Sequence, residues 1–576
     1  DIQCGQDTLT RFIADADGFQ DTAETSTVVH HTANVMFNIM RGGIFADNNK
    51  IDTADVLAFI STRNHKLSAQ AKTVLNRLGA QTDFATMIAA LTGTGDPQLA
   101  RLAAEYLPLS FSRRHGDPSR PWNRFSIELK DSNGKRKLNY QGNWRDIFQN
   151  WEALAFSYPA FLPNMTAKFL NAMTVDGFNP YRITRDGIDW EVKEIDNPWS
   201  NIGYWGDHQV IYLAKLLELE SRHNHNDLCA RLDERLYSSA NVPYRIKPYA
   251  DIVRDPRSTI IFDETLHNAI MKKTESLGTD AKLVLDKDDN PQLVSMTTKF
   301  ISIICAKMAN LIPLGGIWLN TQRPEWNDAN NALAGWGLSI VTLCYLRRFL
   351  SFLEGLYADA PNATFAVPAE TADFFRDLSA AWAHAPENPN ALERRAFVDS
   401  IGSLFEKQRE ALYAKGYANK TIDLTREEII KAFTVFRTAS EQTIRANKRQ
   451  DGLYHAYNTL SIATSGGMDV QYLNEMLEGQ VAVISSLLLS SKEVLDLCKA
   501  MKEGPLFRKD QYSYILYPNK ELPHFCAKNI VNEEDALRIP SLARLLASGN
   551  TSIMFQDSQR ACHFNPSFRN AQIMEA

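Results

Sequence analysis

Between Gly315 and Asn331 the chain reads Gly-Gly-Ile-Trp-Leu-Asn-Thr-Gln-Arg-Pro-Glu-Trp-Asn-Asp-Ala-Asn-Asn, with two tryptophans, two carboxylates, four asparagines and an arginine. Those residue types suit a sugar. The faces of Trp318 and Trp326 can stack on pyranose rings, and Gln322, Arg323 and Asn327 can bond hydroxyls. A carboxyl from Glu325 or Asp328 can protonate a glycosidic oxygen. The same composition also fits a well-bonded surface loop.

Two further clusters carry similar equipment. Gly142-Asn143-Trp144-Arg145-Asp146-Ile147-Phe148-Gln149-Asn150-Trp151-Glu152 places Arg145, Asp146 and Gln149 at a helix start, where the dipole favours a carboxylate. An Arg–Asp pair there can grip neighbouring hydroxyls; the alternative is an N-terminal charge cap. The third cluster runs from Asp176-Gly177-Phe178-Asn179-Pro180-Tyr181-Arg182 through Asp189-Trp190-Glu191 to Gly203-Tyr204-Trp205-Gly206-Asp207-His208-Gln209. Asp189, Glu191 and Asp207 are candidate acids or bases, and Tyr181, Arg182, Trp190 and Trp205 are candidate groove residues. Asp207 equally suits an N-cap. His30, His31, His208, His223 and His225 have no metal-ligand spacing, so no metal site is expected. Gly-x-Ser-x-Gly and phosphate-loop patterns are absent from the sequence.

The elements that must position these residues read mostly as helices. Apolar residues recur at three- and four-residue spacing over 28–41, 53–61, 68–78, 84–91, 145–156, 161–173, 207–221, 226–236, 296–310 and 337–357. Residues 370–450 are amphipathic and helical, with more helix at 470–490 and 491–503. Gly, Pro, Asn and Trp fill the loops between them. A short hairpin is expected over Phe125–Lys130 and Lys137–Tyr140 around Asn133-Gly134. Paired helices with functional loops at one mouth predict an all-α toroid, with few short strands. The expected division is an amino-terminal helical segment over 1–110, a catalytic barrel over 111–505 and a less regular segment over 506–576.

Composition narrows the class. A net charge of −6 with both signs interspersed argues against nucleic acid or a membrane surface as partner. Seven scattered cysteines without a Cys-x-x-Cys fit reduced thiols, and no signal peptide is visible at Asp1-Ile2-Gln3-Cys4. A cytoplasmic protein is the expectation. The longest apolar runs are well short of the ~20 residues that span a bilayer.

In order, the clusters resemble glycoside hydrolase family 94, the cellobiose and chitobiose phosphorylases and the related domain of cyclic β-1,2-glucan synthases. Trp144-Arg145-Asp146-Ile147-Phe148-Gln149-Asn150 resembles the family's Y/F-R-D-x-x-Q-D, and Asp176-Gly177 opens a stretch similar to D-G-x-x-H-x-Y. Gly203 to His208 is similar to G-x-x-D-D-P, Asn241-Val242-Pro243-Tyr244 to V-P-Y, and Pro324-Glu325-Trp326-Asn327-Asp328 to G-D-W-N-D. The wording around these motifs is closer still to large bacterial relatives of that family. The resemblance covers roughly residues 140–350. It implies an (α/α)6 barrel, an inverting enzyme, Arg145 and Asp146 on the sugar being cleaved, and Glu325 as general acid.

The sequence departs from the family where its first Asp becomes Glu325 and where Q-D becomes Gln149-Asn150. The family's amino-terminal β-sandwich and its phosphate-holding segment are not apparent. Hydrolysis and phosphorolysis therefore both stay open, with Asp207, Asp189 or Glu191 as base in the first case. An oligosaccharide is the expected substrate. No cofactor is expected, inorganic phosphate entering only as co-substrate of phosphorolysis, and a homo-oligomer is left open. The alternative is a sugar-binding or scaffolding toroid without catalysis.

Overall fold

Most of the chain folds as helices because its apolar stripes need a core and its helix starts carry their own caps. Asp52, Asp83, Asp96, Ser295, Ser339 and Thr425 each accept a backbone N–H in the first turn of the helix that follows. Asn390 and Ser490 complete capping boxes with Glu393 and Glu493. The computed structural model describes residues 1–17, 23–42, 44–45, 50–110, 132–134, 137–179, 182–192, 203–204, 209–321, 333–463, 466–519 and 530–568. They fall into two units, Asp1–Leu516 and Tyr517–Ala576.

In the larger unit Ile340–Ala358 packs against Gln209–Ala230 and Arg426–Ala446, and Leu162–Asn171 packs against Gln209–Ala230. Every residue of Met296–Met308 is buried, including Lys299 and Lys307. A helix buried on all sides belongs inside the core, and this one carries the Asp176 loop described below.

The all-α (α/α)6 toroid expected from the sequence is corrected by the strands. Leu311–Ile312, Gly316–Trp318, Gly337–Ser339, Tyr457–Ile462 and Met468–Tyr472 form one antiparallel five-stranded sheet, in that order. Its register pairs Ile317 with Ser339 and Gly337 with Thr459. Gln141–Asn143, Arg182–Thr184 and Gly187–Asp189 form a three-stranded sheet, and several two-stranded ribbons complete the set. These strands are two to six residues long and often pair across large sequence distances, so no alternating run announces them.

Local boundaries shift for the same reason. The expected hairpin is not formed by Lys137–Tyr140, which has no strand; the strand follows at Gln141–Asn143, and Phe125–Lys130 lies outside the described residues. The expected helix over 226–236 ends at Ala230 and becomes a strand at Arg235–Tyr237. The helix read over 470–490 divides into the strand Met468–Tyr472 and the helix Leu477–Ser485.

The smaller unit packs the helices Glu533–Arg538 and Pro540–Ala547 with the hairpin Met554–Gln556 and Cys562–Phe564 around Ala536, Leu542, Met554 and Cys562. Among the described residues no helix is long and apolar enough to cross a membrane, and no cysteine is disulfide-bonded.

Candidate functional site

The five-stranded sheet holds the described residues on either side of the segment bearing Glu325. Leu319 donates its amide to Gly337 O at 2.8 Å, Gly335 donates to Leu319 O at 2.9 Å, and the Trp318 indole donates to Gly335 O at 2.8 Å. The Thr259 hydroxyl donates to Asn320 O, and the Asn320 amide to Asn310 Oδ1 at 2.8 Å. Gly335 is required here, with φ at +86° and a hypothetical Cβ only 2.5 Å from Pro256 O. Gln322, Arg323, Glu325, Trp326, Asn327 and Asp328 lie outside the described residues.

A chain of short contacts links the five motif segments. Asn143, one residue before Trp144, pairs in strand register with Arg182. Arg182 pairs in turn with Asp189. The Tyr244 hydroxyl donates to Glu191 O at 2.7 Å, and the Tyr244 and Tyr204 rings meet edge to face at 5.6 Å. Tyr204 N then donates to Thr321 O at 3.3 Å, four residues before Glu325. Segments far apart in sequence are thus linked edge to edge. Arg145, Asp146 and Gln149 stand in the opening turns of Trp144–Ser157, and the placement of their side chains lies outside the description. Tyr181, Trp205 and Asp207 also lie outside it.

The described candidates have protein partners. Asp189 takes an ion pair from Arg182 at 3.0 Å, a second from Lys282 at 3.6 Å and the Trp190 amide at 3.0 Å. Trp190 is buried, its indole donates to His267 Nδ1 at 3.1 Å, and the Lys282 ammonium lies 5.3 Å from its ring centre. Trp318 is buried as well.

Sequence reasoning passed over three groups. The first is Asp176, a residue 2% exposed whose carboxylate accepts from the Tyr413 hydroxyl at 2.5 Å and from the Thr174 hydroxyl. Burial, and then the negative charge of Asp176, raise the Tyr413 pKa well above its usual range, so the phenol stays a donor. The Asp-Gly pair was visible, but Tyr413 sits on a distant helix that reads as ordinary amphipathic surface. Gly177 (φ +84°) lies so close to the central helix that a Cβ would fall 2.4 Å from Ser302 O.

The second is Lys299, which donates to Ser239 Oγ at 2.6 Å, Ser238 O at 2.8 Å and Met173 O at 3.4 Å. It clamps the start of the Asp176 loop to the neighbouring segment, where Ala240 N donates to Met173 O at 2.8 Å. Burial pushes its pKa well below the usual lysine range.

The third is a buried ionic brace beneath the Arg182–Asp189 hairpin. Arg63 binds Glu105 and reaches Asp280 at 3.2 Å, Arg101 reaches Asp280 at 2.5 Å, and Lys168 binds Glu105 at 3.0 Å. Lys168 also donates to Arg185 O at 3.0 Å, while Arg185 pairs with Asp55 at 2.7 Å. Burial alone would raise the Glu105 pKa, but Arg63 and Lys168 beside it hold it well below the usual carboxylate range.

Comparison with known proteins agrees with a carbohydrate-active assignment. Residues 45–108, which contain Asp55, Arg63, Arg101 and Glu105, match the model of glycoside hydrolase family 149 insertion domain 1. Residues 522–576 match that of GH149 phosphorylase insertion domain 2. No curated protein matches the chain. The two segments support a glycoside hydrolase or phosphorylase family, and point to family 149 in place of family 94.

Proposed function

We propose that the chain is an inverting glycoside phosphorylase acting on an oligosaccharide. The observation that carries this reading is the pair of matched segments, both of which are insertion domains of family 149, one of them described as that of a phosphorylase. The edge-to-edge links between motif segments through Tyr244, Tyr204 and Thr321 support a common site for them.

In this reading Glu325 protonates the glycosidic oxygen as the bond from C1 breaks. A phosphate oxygen attacks C1 from the opposite face, giving an inverted sugar 1-phosphate and a shortened chain. The transition state is oxocarbenium-like, so Glu325 must stay protonated until the leaving oxygen takes the proton. Arg145, Asp146 and Gln149 hold the sugar being cleaved, with Tyr181, Arg323, Asn327 and Asp328 on its hydroxyls and Trp205 and Trp326 against its faces. Phosphorolysis needs no second carboxylate as base. The ion pairs of Asp189 with Arg182 and Lys282 support a positioning part for it, leaving Asp207 as the base that a hydrolytic reaction would use.

Replacing Glu325 with Gln tests the assignment. The variant should lose about three orders of magnitude in kcat, in keeping with removal of a general acid, and keep its affinity for the sugar. Near-normal turnover by Glu325→Gln would overturn it.

A further inference from the structure

A cavity of about 420 Å³ opens between the Asp176 loop, the helix Glu264–Leu277 and the end of the helix Ala391–Lys415. That volume falls within the roughly 300–1,000 Å³ typical of small-molecule pockets. Asp176, Tyr204, Asn241, Arg245 and Tyr413 line it, so two of the motif segments and the edge of a third share its wall.

The lining holds several polar groups that the protein itself leaves unused. Asp176 accepts two hydrogen bonds, while a carboxylate offers about four acceptor positions. Arg245 spends Nη1 on Val242 O and Tyr244 O, at 2.9 and 3.0 Å, and its guanidinium lies 4.6 Å from the Tyr413 ring centre. Among the described residues its Nε and Nη2, the Asn241 side-chain amide and the Tyr204 hydroxyl have no hydrogen-bond partner. Facing the cavity, these groups are placed to bond a ligand rich in hydroxyls in place of water.

Charge selects the class of that ligand. Arg245, Lys273 and Lys415 are balanced by Asp176, Asp286 and Asp289 around the described wall, and Lys273 is already bound to Asp289. An anion would meet as many carboxylates as cations. A neutral ring with donors and acceptors around its edge fits instead, lying against the Tyr204 and Tyr413 side chains.

We infer that this cavity is a carbohydrate pocket, holding a sugar unit through Asp176, Tyr204, Asn241 and Arg245. The inference rests on the proposed function for its choice of sugar over other polyols.

Tyr204→Phe and Asn241→Ala test it cleanly, because each removes a group that bonds nothing else in the protein. They are made in Glu325→Gln protein, so that no substrate is consumed, and calorimetry with glucose, maltose and cellobiose reads the affinity. Each should weaken binding of at least one of these sugars roughly 3- to 10-fold, the effect of one neutral hydrogen bond, with melting temperature unchanged. Sugar affinity unaltered in the folded double variant would overturn the pocket, as would no sugar binding at all. So would a loss confined to inorganic phosphate, titrated separately. Failure of the enzyme reading is distinguishable: wild type that turns over none of these sugars or their longer oligomers, yet shows the Tyr204 and Asn241 effects, keeps the pocket and loses the phosphorylase.

Discussion

The amide of Tyr204 donates to the carbonyl of Thr321 at 3.3 Å. That bond joins the segment leading to Asp207 with the one leading to Glu325, and Tyr204 also stacks on Phe178 of the Asp176 loop at 5.0 Å. Three motifs distant in sequence are thereby fixed at their edges, before any functional side chain is considered. Preorganised edges matter because small displacements of reacting groups cost large factors in rate.

Gly335 lies just after the segment that bears Glu325, and Gly335→Ala should therefore cost both stability and turnover. The left-handed backbone and the overlap with Pro256 O together predict a loss of about 1–3 kcal/mol and a fall in kcat of roughly tenfold or more. Gly549→Ala is the control. Its φ is +66°, but no atom lies within 4 Å of the added carbon. It should cost about 1 kcal/mol and leave kcat unchanged. Thermal melts and steady-state rates of the two variants check this.

Glu105→Gln breaks the brace by leaving Lys168 buried without a paired carboxylate and Arg63 with Asp280 alone. The expected loss is about 3–5 kcal/mol at neutral pH. Because the folded state holds the Glu105 pKa below its unfolded value, this stabilisation is fully present above the ordinary glutamate range. It is lost as pH falls through that range toward the folded value. Urea denaturation should show the gap between wild type and Glu105→Gln narrowing on acidification. A gap that widens would contradict the brace.

Lys299 should act in the opposite pH direction. Its folded pKa is depressed by burial, so below the usual lysine range the unfolded chain binds the extra proton and stability rises with pH. Lys299→Met removes that slope and orphans the acceptors at Ser238 and Met173. The stability of wild type relative to Lys299→Met should increase between neutral pH and about pH 10, as read from denaturation midpoints.

The helices were legible because periodicity and caps are local. The sequence pattern placed helices over 53–61, 145–156 and 491–503, and the structure has them at Thr53–Arg63, Trp144–Ser157 and Ser491–Glu503. The sheets were not legible. Gly316–Trp318 lies in a stretch read as loop and Gly337–Ser339 at the start of one read as helix, and only their long-range pairing makes them strands. The brace was hidden for a related reason. Arg63, Glu105 and Asp280 look like solvated charges in sequence, and only the packing of the 45–108 segment against Leu162–Asn171 brings them together indoors. The motif segments could be found by residue type, whereas Tyr413 and Lys299 bear no such mark.

The most direct test of the central claim is phosphorus NMR on the protein incubated with β-linked oligosaccharides and inorganic phosphate. The phosphorylase reading predicts a sugar 1-phosphate of inverted anomeric configuration, formed in step with shortening of the oligosaccharide and only when phosphate is present. Free sugar released at the same rate with and without phosphate would contradict it.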